Sequence, residues 1–205
     1  MSNRNFQPRV SRLVLVAAAA LSLGACAANN YPPAPDKISL QTYHYKVGAG
    51  DTLNVSVWHN PDLSMTIQVR PDGRISTPLA PDVQAAGKTP GEIAKEIEAR
   101  LSKYVRDPVV SVVVTGFQGP YSQQIRIVGQ AVRPSAIPYR ENMTLLDVMI
   151  AAGGLTEFAD GNAAVLERHG KTYSIKLGDL LKRGQMSANV PVEPGDVIII
   201  PQSMF

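Results

Sequence analysis

Gly50-Asp51-Thr52-Leu53-Asn54-Val55-Ser56-Val57-Trp58 sets the architecture of the first half of this chain. Leu53, Val55 and Val57 alternate with Asn54 and Ser56, the period of a strand with one buried face. The next stretch repeats it: Met65, Ile67 and Val69 alternate with Thr66, Gln68 and Arg70. Pro71-Asp72-Gly73 then turns the chain into Arg74–Leu79. Proline presets φ, aspartate bonds the backbone ahead of it, and glycine accepts positive φ. On pattern alone this is a β-meander, common to many small domains.

A helix is expected next. Thr89 is a good N-cap, Pro90 occupies the tolerated first position, and Glu92 completes a capping box. Ile93, Ile97 and Leu101 share one face, with Ala94 beside them, and Glu96 and Arg100 can pair at i, i+4. Tyr104 to Pro108 breaks the helix, and Val109–Thr115 is a β-branched run expected to be buried on both faces. Gly116-Phe117-Gln118-Gly119-Pro120 interrupts the pattern and marks a boundary. A first domain therefore spans 43–118 and a second 119–205.

The second domain reads as strand Gln124–Val128, an edge segment Ala136–Tyr139 holding Pro138, and a helix capped by Thr144 and stopped by Gly153-Gly154. A hairpin follows, Ala163–Arg168 and Thr172–Leu177 around His169-Gly170-Lys171. A helical turn at Leu177–Lys182 leads to Pro194-Gly195-Asp196, which turns into Val197–Ile200. This order is that of a β-grasp-like α+β unit, so the fold class expected is α+β, a mixed sheet with one packed helix followed by a β-grasp. Gly50-Asp51 and Gly195-Asp196 each precede an apolar strand, a repetition read as a common turn, with an internal echo as the alternative.

Upstream, Arg4, Arg9 and Arg12 precede the apolar run Leu13–Leu23, and Gly24-Ala25-Cys26 follows. As a helix, that run reaches about half of a ~30 Å bilayer core, which fits a signal peptide over 1–25 and not a spanning anchor. Cys26 is the only cysteine, so it has no internal disulfide partner. Residues 26–42 include Tyr31-Pro32-Pro33-Ala34-Pro35, read as a stiff proline-rich tether whose work is spacing.

Composition excludes several functions. Hydrophobic residues make up 44% and charged ones 18%, with 16 glycines and 16 prolines, an ordinary globular balance with many turns. Of 20 cationic side chains, three lie in the signal region, so the remaining 17 match the 17 carboxylates. A neutral mature chain lacks the net basic face that nucleic acid requires. His44, His59 and His169 are scattered, so no metal site is expected. No glycine-rich phosphate loop or G-x-S-x-G nucleophile motif occurs. Asp51 and Asp72 could form a glycosidase carboxylate pair, but their turn positions explain them without catalysis. No catalytic residue and no cofactor is therefore expected. Trp58 is read as a subunit-interface aromatic, with sugar stacking as the alternative.

Beyond these patterns, Leu23-Gly24-Ala25-Cys26 resembles the bacterial lipobox, which implies a diacylglycerol on Cys26. Ala27 lacks the aspartate that favours inner-membrane retention in such lipoproteins, which implies the outer membrane. Tyr45–Leu53, Val69–Ile75, the capped helix and Asp107-Pro108-Val109-Val110 resemble the polysaccharide export domain of the Wza-like outer-membrane export lipoproteins. Val128-Gly129-Gln130-Ala131, Thr144–Asp147, Ala152-Gly153-Gly154-Leu155 and Pro194–Val197 resemble the soluble-ligand-binding β-grasp (SLBB) repeat of that family. Thr115–Ser122 and Ser187–Val190 are similar to the exopolysaccharide export proteins of PEP-CTERM and exosortase systems.

The resemblance makes Gly50, Asp51, Pro71, Asp72, Gly73, Gly153, Gly154, Gly195 and Asp196 structural motif residues. It implies a homo-oligomeric ring on the periplasmic face of the outer membrane, passing nascent exopolysaccharide as cargo. It also implies an inner-membrane partner of the polysaccharide co-polymerase and tyrosine-kinase type. Wza carries further β-grasp material and a C-terminal helix that forms its pore, whereas this sequence reads Pro201–Phe205 at its end. The expectation is a pore supplied by a separate outer-membrane β-barrel. The competing expectation is a monomeric lipoprotein that binds glycan or another soluble ligand.

Overall fold

The alternation of the opening stretch becomes strand β1 (Thr52–Val57), with Leu53, Val55 and Val57 buried and Asn54 and Ser56 exposed. The computed structural model describes residues 31–37 and 43–203; the signal peptide and Cys26 lie outside these. β1 pairs antiparallel with β2 (Met65–Gln68), joining Thr52 to Gln68 and Val55 to Met65. The Pro71-Asp72-Gly73 turn leads to a hairpin of β3 (Arg74–Thr77) and β4 (Ala80–Gln84). The sequence analysis assigns nothing to β4, which holds Pro81 at its second position; a proline is tolerated in so short a two-stranded ribbon.

Helix α1 (Pro90–Leu101) forms as its cap and spacing require. The Glu92 amide donates to Thr89 Oγ1 at 3.4 Å, and the Thr89 amide donates to Glu92 Oε2 at 2.7 Å. Ile93, Ile97 and Leu101 are at most 1% exposed, each contributing about 1.5–3 kcal/mol by burial. They close a core with Leu53, Val55, Ile75 and Val83. Thr89→Ala is expected to lower the stability of this domain by about 1 kcal/mol, read as a shift in urea midpoint with unchanged slope.

β5 (Val110–Gly116) completes the first sheet in the order β2-β1-β5. The expectation that Val109–Thr115 is buried on both faces is wrong: Val110 is 8% exposed, but Val113 is 54% and Val109 59% exposed. α1 covers only one face of this sheet, and β5 is its edge, so the run alternates like any half-buried strand.

The second domain holds β6 (Gln124–Gly129), β7 (Ala136–Pro138), α2 (Leu145–Ala151), β8 (Val165–Arg168), β9 (Lys171–Ser174), α3 (Leu177–Arg183) and β10 (Val197–Ile200). Its sheet runs β7-β6-β10-β8-β9, parallel only between β6 and β10. Ile125, Leu145, Met149, Leu166, Leu177, Ile198 and Ile200 form a second core. The α+β class and the helix-bearing β-grasp order are as read from the sequence, but the mixed sheet lies in the second domain: the strand pairs of the first, β1–β2, β1–β5 and β3–β4, are antiparallel. The hairpin is tighter than expected: His169 and Gly170 alone join β8 to β9, with φ of 50° and 75°, the positive pair that a two-residue turn demands.

Both helix caps create a pH dependence. Thr89 hydrogen bonds hold the Glu92 carboxyl below its ordinary range, and Thr144 does the same for Asp147, donating from its hydroxyl at 2.6 Å. Depressed folded values stabilise above the unfolded carboxylate range, near pH 4, and that contribution is lost as pH falls through the folded values. Urea midpoints are therefore expected to drop below about pH 4, and to drop less in a Thr89→Ala, Thr144→Ala double variant.

The proline-rich tether does more than space. The Ser174 amide donates to Pro32 O at 2.8 Å and the Ala34 amide to Ser174 O at 3.3 Å, a parallel bridge on the edge of β9. Ala34 and Tyr43 also pack against the second core. An extended proline segment with free carbonyls suits an open sheet edge, which composition alone did not reveal.

Candidate functional site

Gly50 adopts φ +90° and delivers Asp51 into a fully buried position at the start of β1. Asp51 Oδ2 accepts from the Gly48 amide at 2.8 Å and from the Tyr45 hydroxyl at 2.6 Å. Oδ1 accepts from the Gln118 amide at 2.6 Å and the Gly119 amide at 2.8 Å. One carboxylate thus ties the entry of the first sheet to the peptide that leaves it for the second domain. The approach is close: a Cβ on Gly48 would lie 2.2 Å from the Gly119 carbonyl carbon. Tyr45 also meets Phe117 edge-on at 5.3 Å. Burial, and then its bond to Asp51, push the Tyr45 phenol well above its ordinary value.

A second link runs beside it. Tyr43 donates to Gln123 Oε1 at 3.2 Å and packs edge-on to Tyr139 at 5.0 Å. Burial, then Tyr139 and Asp51, raise the Tyr43 phenol. Together Tyr43, Tyr45 and Asp51 join the two domains through residues 117–123.

Gly195-Asp196 repeats the Gly50-Asp51 geometry. Gly195 has φ +91°, and Asp196 is 1% exposed. In each turn the aspartate side chain accepts from the amide three residues earlier, at 2.8 Å from Gly48 and from Glu193. The aspartate amide returns a bond to the same residue's carbonyl, at 3.3 and 3.1 Å. The common turn expected from sequence is therefore also an internal echo of a buried carboxylate turn. Here the other partner is Arg168, 5% exposed in its side chain, whose Nε and Nη2 donate to Asp196 at 3.0 and 2.6 Å. Arg168 also reaches Glu193 Oε1 at 3.1 Å and Pro191 O at 2.9 Å. Burial disfavours the guanidinium cation, but the bonds to Asp196 and the charges of Asp196 and Glu193 outweigh it and raise its value.

The remaining motif residues are dispersed. Asp72 is exposed: it accepts from the Arg74 amide at 3.3 Å, as expected of the turn, and pairs with Arg70 at 2.6 Å. Gly73 (φ +77°) follows Pro71-Asp72, and its carbonyl accepts from the Ala85 and Ala86 amides. Asp51 and Asp72 therefore occupy opposite environments, one sealed and saturated with donors, the other open and ion-paired. Gly153 and Gly154, at φ +77° and +89°, end α2, and the carbonyls of Ala152 and Gly154 accept from Arg133 and Val132. Trp58 is 68% exposed and stacked on His59 at 4.8 Å. Cys26 lies outside the described residues. Among the described residues no group of His, Cys, Asp or Glu is placed to hold a metal ion. A concavity of about 560 Å³ opens between β7 and α2, with Ile137, Met143 and Ile150 as apolar lining and Arg140, Glu141 and Asp147 as polar lining.

Sequence reading missed Tyr43, Tyr45 and Arg168. The tyrosines precede the strand pattern and find partners up to 80 positions away. Arg168 carried one usable signal, a cation at the position that would otherwise continue the apolar alternation of β8.

The polysaccharide biosynthesis/export protein family matches residues 39–115, and the SLBB domain matches 123–200. The EPS I polysaccharide export outer membrane protein EpsA of Ralstonia nicotianae is 27% identical over 77% of this chain and 47% of its own length. The capsule polysaccharide export outer membrane protein CtrA of Neisseria meningitidis is 27% identical over 73% of the chain and 42% of its length. The capsule polysaccharide export protein BexD of Haemophilus influenzae is 25% identical over 76% of the chain and 43% of its length. The chain spans about half the length of these curated relatives.

Proposed function

Because this chain belongs to the Wza-like polysaccharide export proteins, we propose that it is a component of an exopolysaccharide or capsule export conduit. In this reading Cys26 carries the lipid that holds it on the periplasmic face of the outer membrane, and copies assemble into a ring around the passing polymer. The observation that supports it best is the matched pair of domains in family order, 39–115 and 123–200. The hydrogen-bonded joint at Asp51 suits a ring, since a subunit whose two domains keep one relation can repeat with one symmetry operator. Among the described residues no helix is long and apolar enough to cross a membrane. A co-polymerase and kinase in the inner membrane and an outer-membrane β-barrel are the partners proposed with it.

Deleting the gene is expected to leave polymer trapped within the cell, with secretion restored by the wild-type chain and not by Cys26→Ser. Negative-stain images of the detergent-solubilised lipoprotein are expected to show rings. A monomer with saturable glycan affinity, and secretion unaffected by the deletion, would replace this reading with a monomeric binding lipoprotein.

A further inference from the structure

The face of the first sheet turned away from α1 is built differently from the rest of the surface. On β1 it presents Asn54 and Ser56 and continues by alternation to Trp58. On β2 it presents Thr66 and Gln68, and on the β5 side Val109, Ser111, Val113 and Thr115, all exposed. None of these side chains ionises. The ion pairs of this domain lie elsewhere: Arg70 with Asp72 and Asp82 at the β3–β4 hairpin, and Glu96 on α1 with Arg100 and with Lys88 just ahead of the helix. Solvated strands, and exposed edges above all, ordinarily carry lysine or glutamate to stay soluble and unpaired. This face and its β5 edge carry none.

What it does carry suits one chemistry. Register sets Ser56 opposite Ser111 and Asn54 between Thr66 and Val113. Asn54 donates to Thr66 Oγ1 at 3.1 Å, while among the described residues the hydroxyls of Ser56 and Ser111 have no protein partner in these bonds and are free to trade with a ligand's hydroxyls. At the end of these rows stands Trp58, one ring face stacked on the His59 imidazole and the side chain still 68% exposed. An indole held in place by a neighbour and left in water is a stacking platform with little entropy left to lose. From Trp58 to Asn54 the strand runs about 13 Å, and three strands span about 10 Å, room for a short run of sugar rings.

We propose that this sheet face binds an uncharged, hydroxyl-rich glycan chain, with Trp58 stacking on a sugar ring and the Ser56, Ser111, Asn54 and Gln68 rows exchanging hydrogen bonds with its hydroxyls. The inference rests on the export reading for its choice of occupant. Charge complementarity argues for a neutral polymer: the strand residues of this face offer no cation to a polyanion, and Arg70, next in the β2 row, is taken up by Asp72 and Asp82. Bonds to sugar hydroxyls replace bonds to water at little net gain, so contact is weak, as a surface along which a polymer slides must be.

Trp58 is the only tryptophan in the chain, so its fluorescence reports on this face alone. The full lipoprotein in detergent is titrated with oligosaccharides of dextran, galactomannan and xyloglucan, and with carboxymethyl-dextran. A saturable blue shift is expected with at least one neutral glycan and about tenfold weaker binding of the carboxylated one. By calorimetry, Trp58→Ala is expected to weaken neutral binding about tenfold, and Ser111→Lys to do the same with an unchanged melting profile. No shift with any of the neutral glycans, or wild-type affinity in both variants, overturns the proposal. So does a blue shift on concentrating the protein alone, which would place a second copy on this face. Secretion separates the two readings. If deletion blocks secretion while Trp58→Ala and Ser111→Lys secrete normally, the face fails and export stands; if deletion leaves secretion intact, the export reading fails whatever the fluorescence shows.

Discussion

Asp51→Ala is expected to destabilise the protein by about 3–5 kcal/mol, among the largest effects of any single substitution. The side chain is fully buried, and its two oxygens satisfy three backbone amides and one phenol. Truncation strands all four donors together, and a buried unsatisfied donor costs about 1–3 kcal/mol, although water entering the vacated space recovers part of that sum. Asp51→Asn should cost less, yet remain severe, because its amide group must point a donor at another donor at one of the two oxygen positions. Equilibrium unfolding in urea checks the magnitude. Limited proteolysis checks the place: the cuts expected in Asp51→Ala fall in residues 116–120, where the lost bonds held the chain. A cut pattern identical to wild type, or a loss below about 1 kcal/mol, would show that the carboxylate does not carry the joint.

Arg168→Ala is the second. It leaves Asp196, 1% exposed, with its charge unpaired, and frees Glu193 and the Pro191 carbonyl. Breaking one side of a buried ion pair costs about 3–5 kcal/mol, whereas removing both charges together is far milder. Arg168→Met with Asp196→Asn should therefore be more stable than Arg168→Met alone, a sign that a double-mutant cycle reads directly. Since Asp196 still organises its own turn through the Glu193 amide, the double variant is not expected to reach wild-type stability. Additive losses in the cycle would mean that the two side chains stabilise independently.

These two substitutions also show what the sequence could and could not disclose. Strand alternation in β1 and β2, the capping box at Thr89, the Pro71-Asp72-Gly73 turn and the order of the second domain are local properties, and each was legible from a window of a few residues. The burial of Val109–Thr115 was misjudged because a β-branched run looks the same in a central strand and at an edge; only the sheet order decides. Gly50-Asp51 and Gly195-Asp196 read as turns and are turns, but that each aspartate is sealed from water depends on Gln118 and Gly119 in one case and Arg168 in the other. No pattern within the turn encodes a partner 67 positions away. The same holds for Tyr43, whose partners Gln123 and Tyr139 belong to the other domain.

Pro32 and Ala34 precede the first domain in the chain but are bonded to Ser174 in the second. Spatial order and sequence order therefore differ. The segment that comes first in the chain closes the edge of the last sheet, covering the outer side of β9 at a place that would otherwise stand open to pairing with another strand.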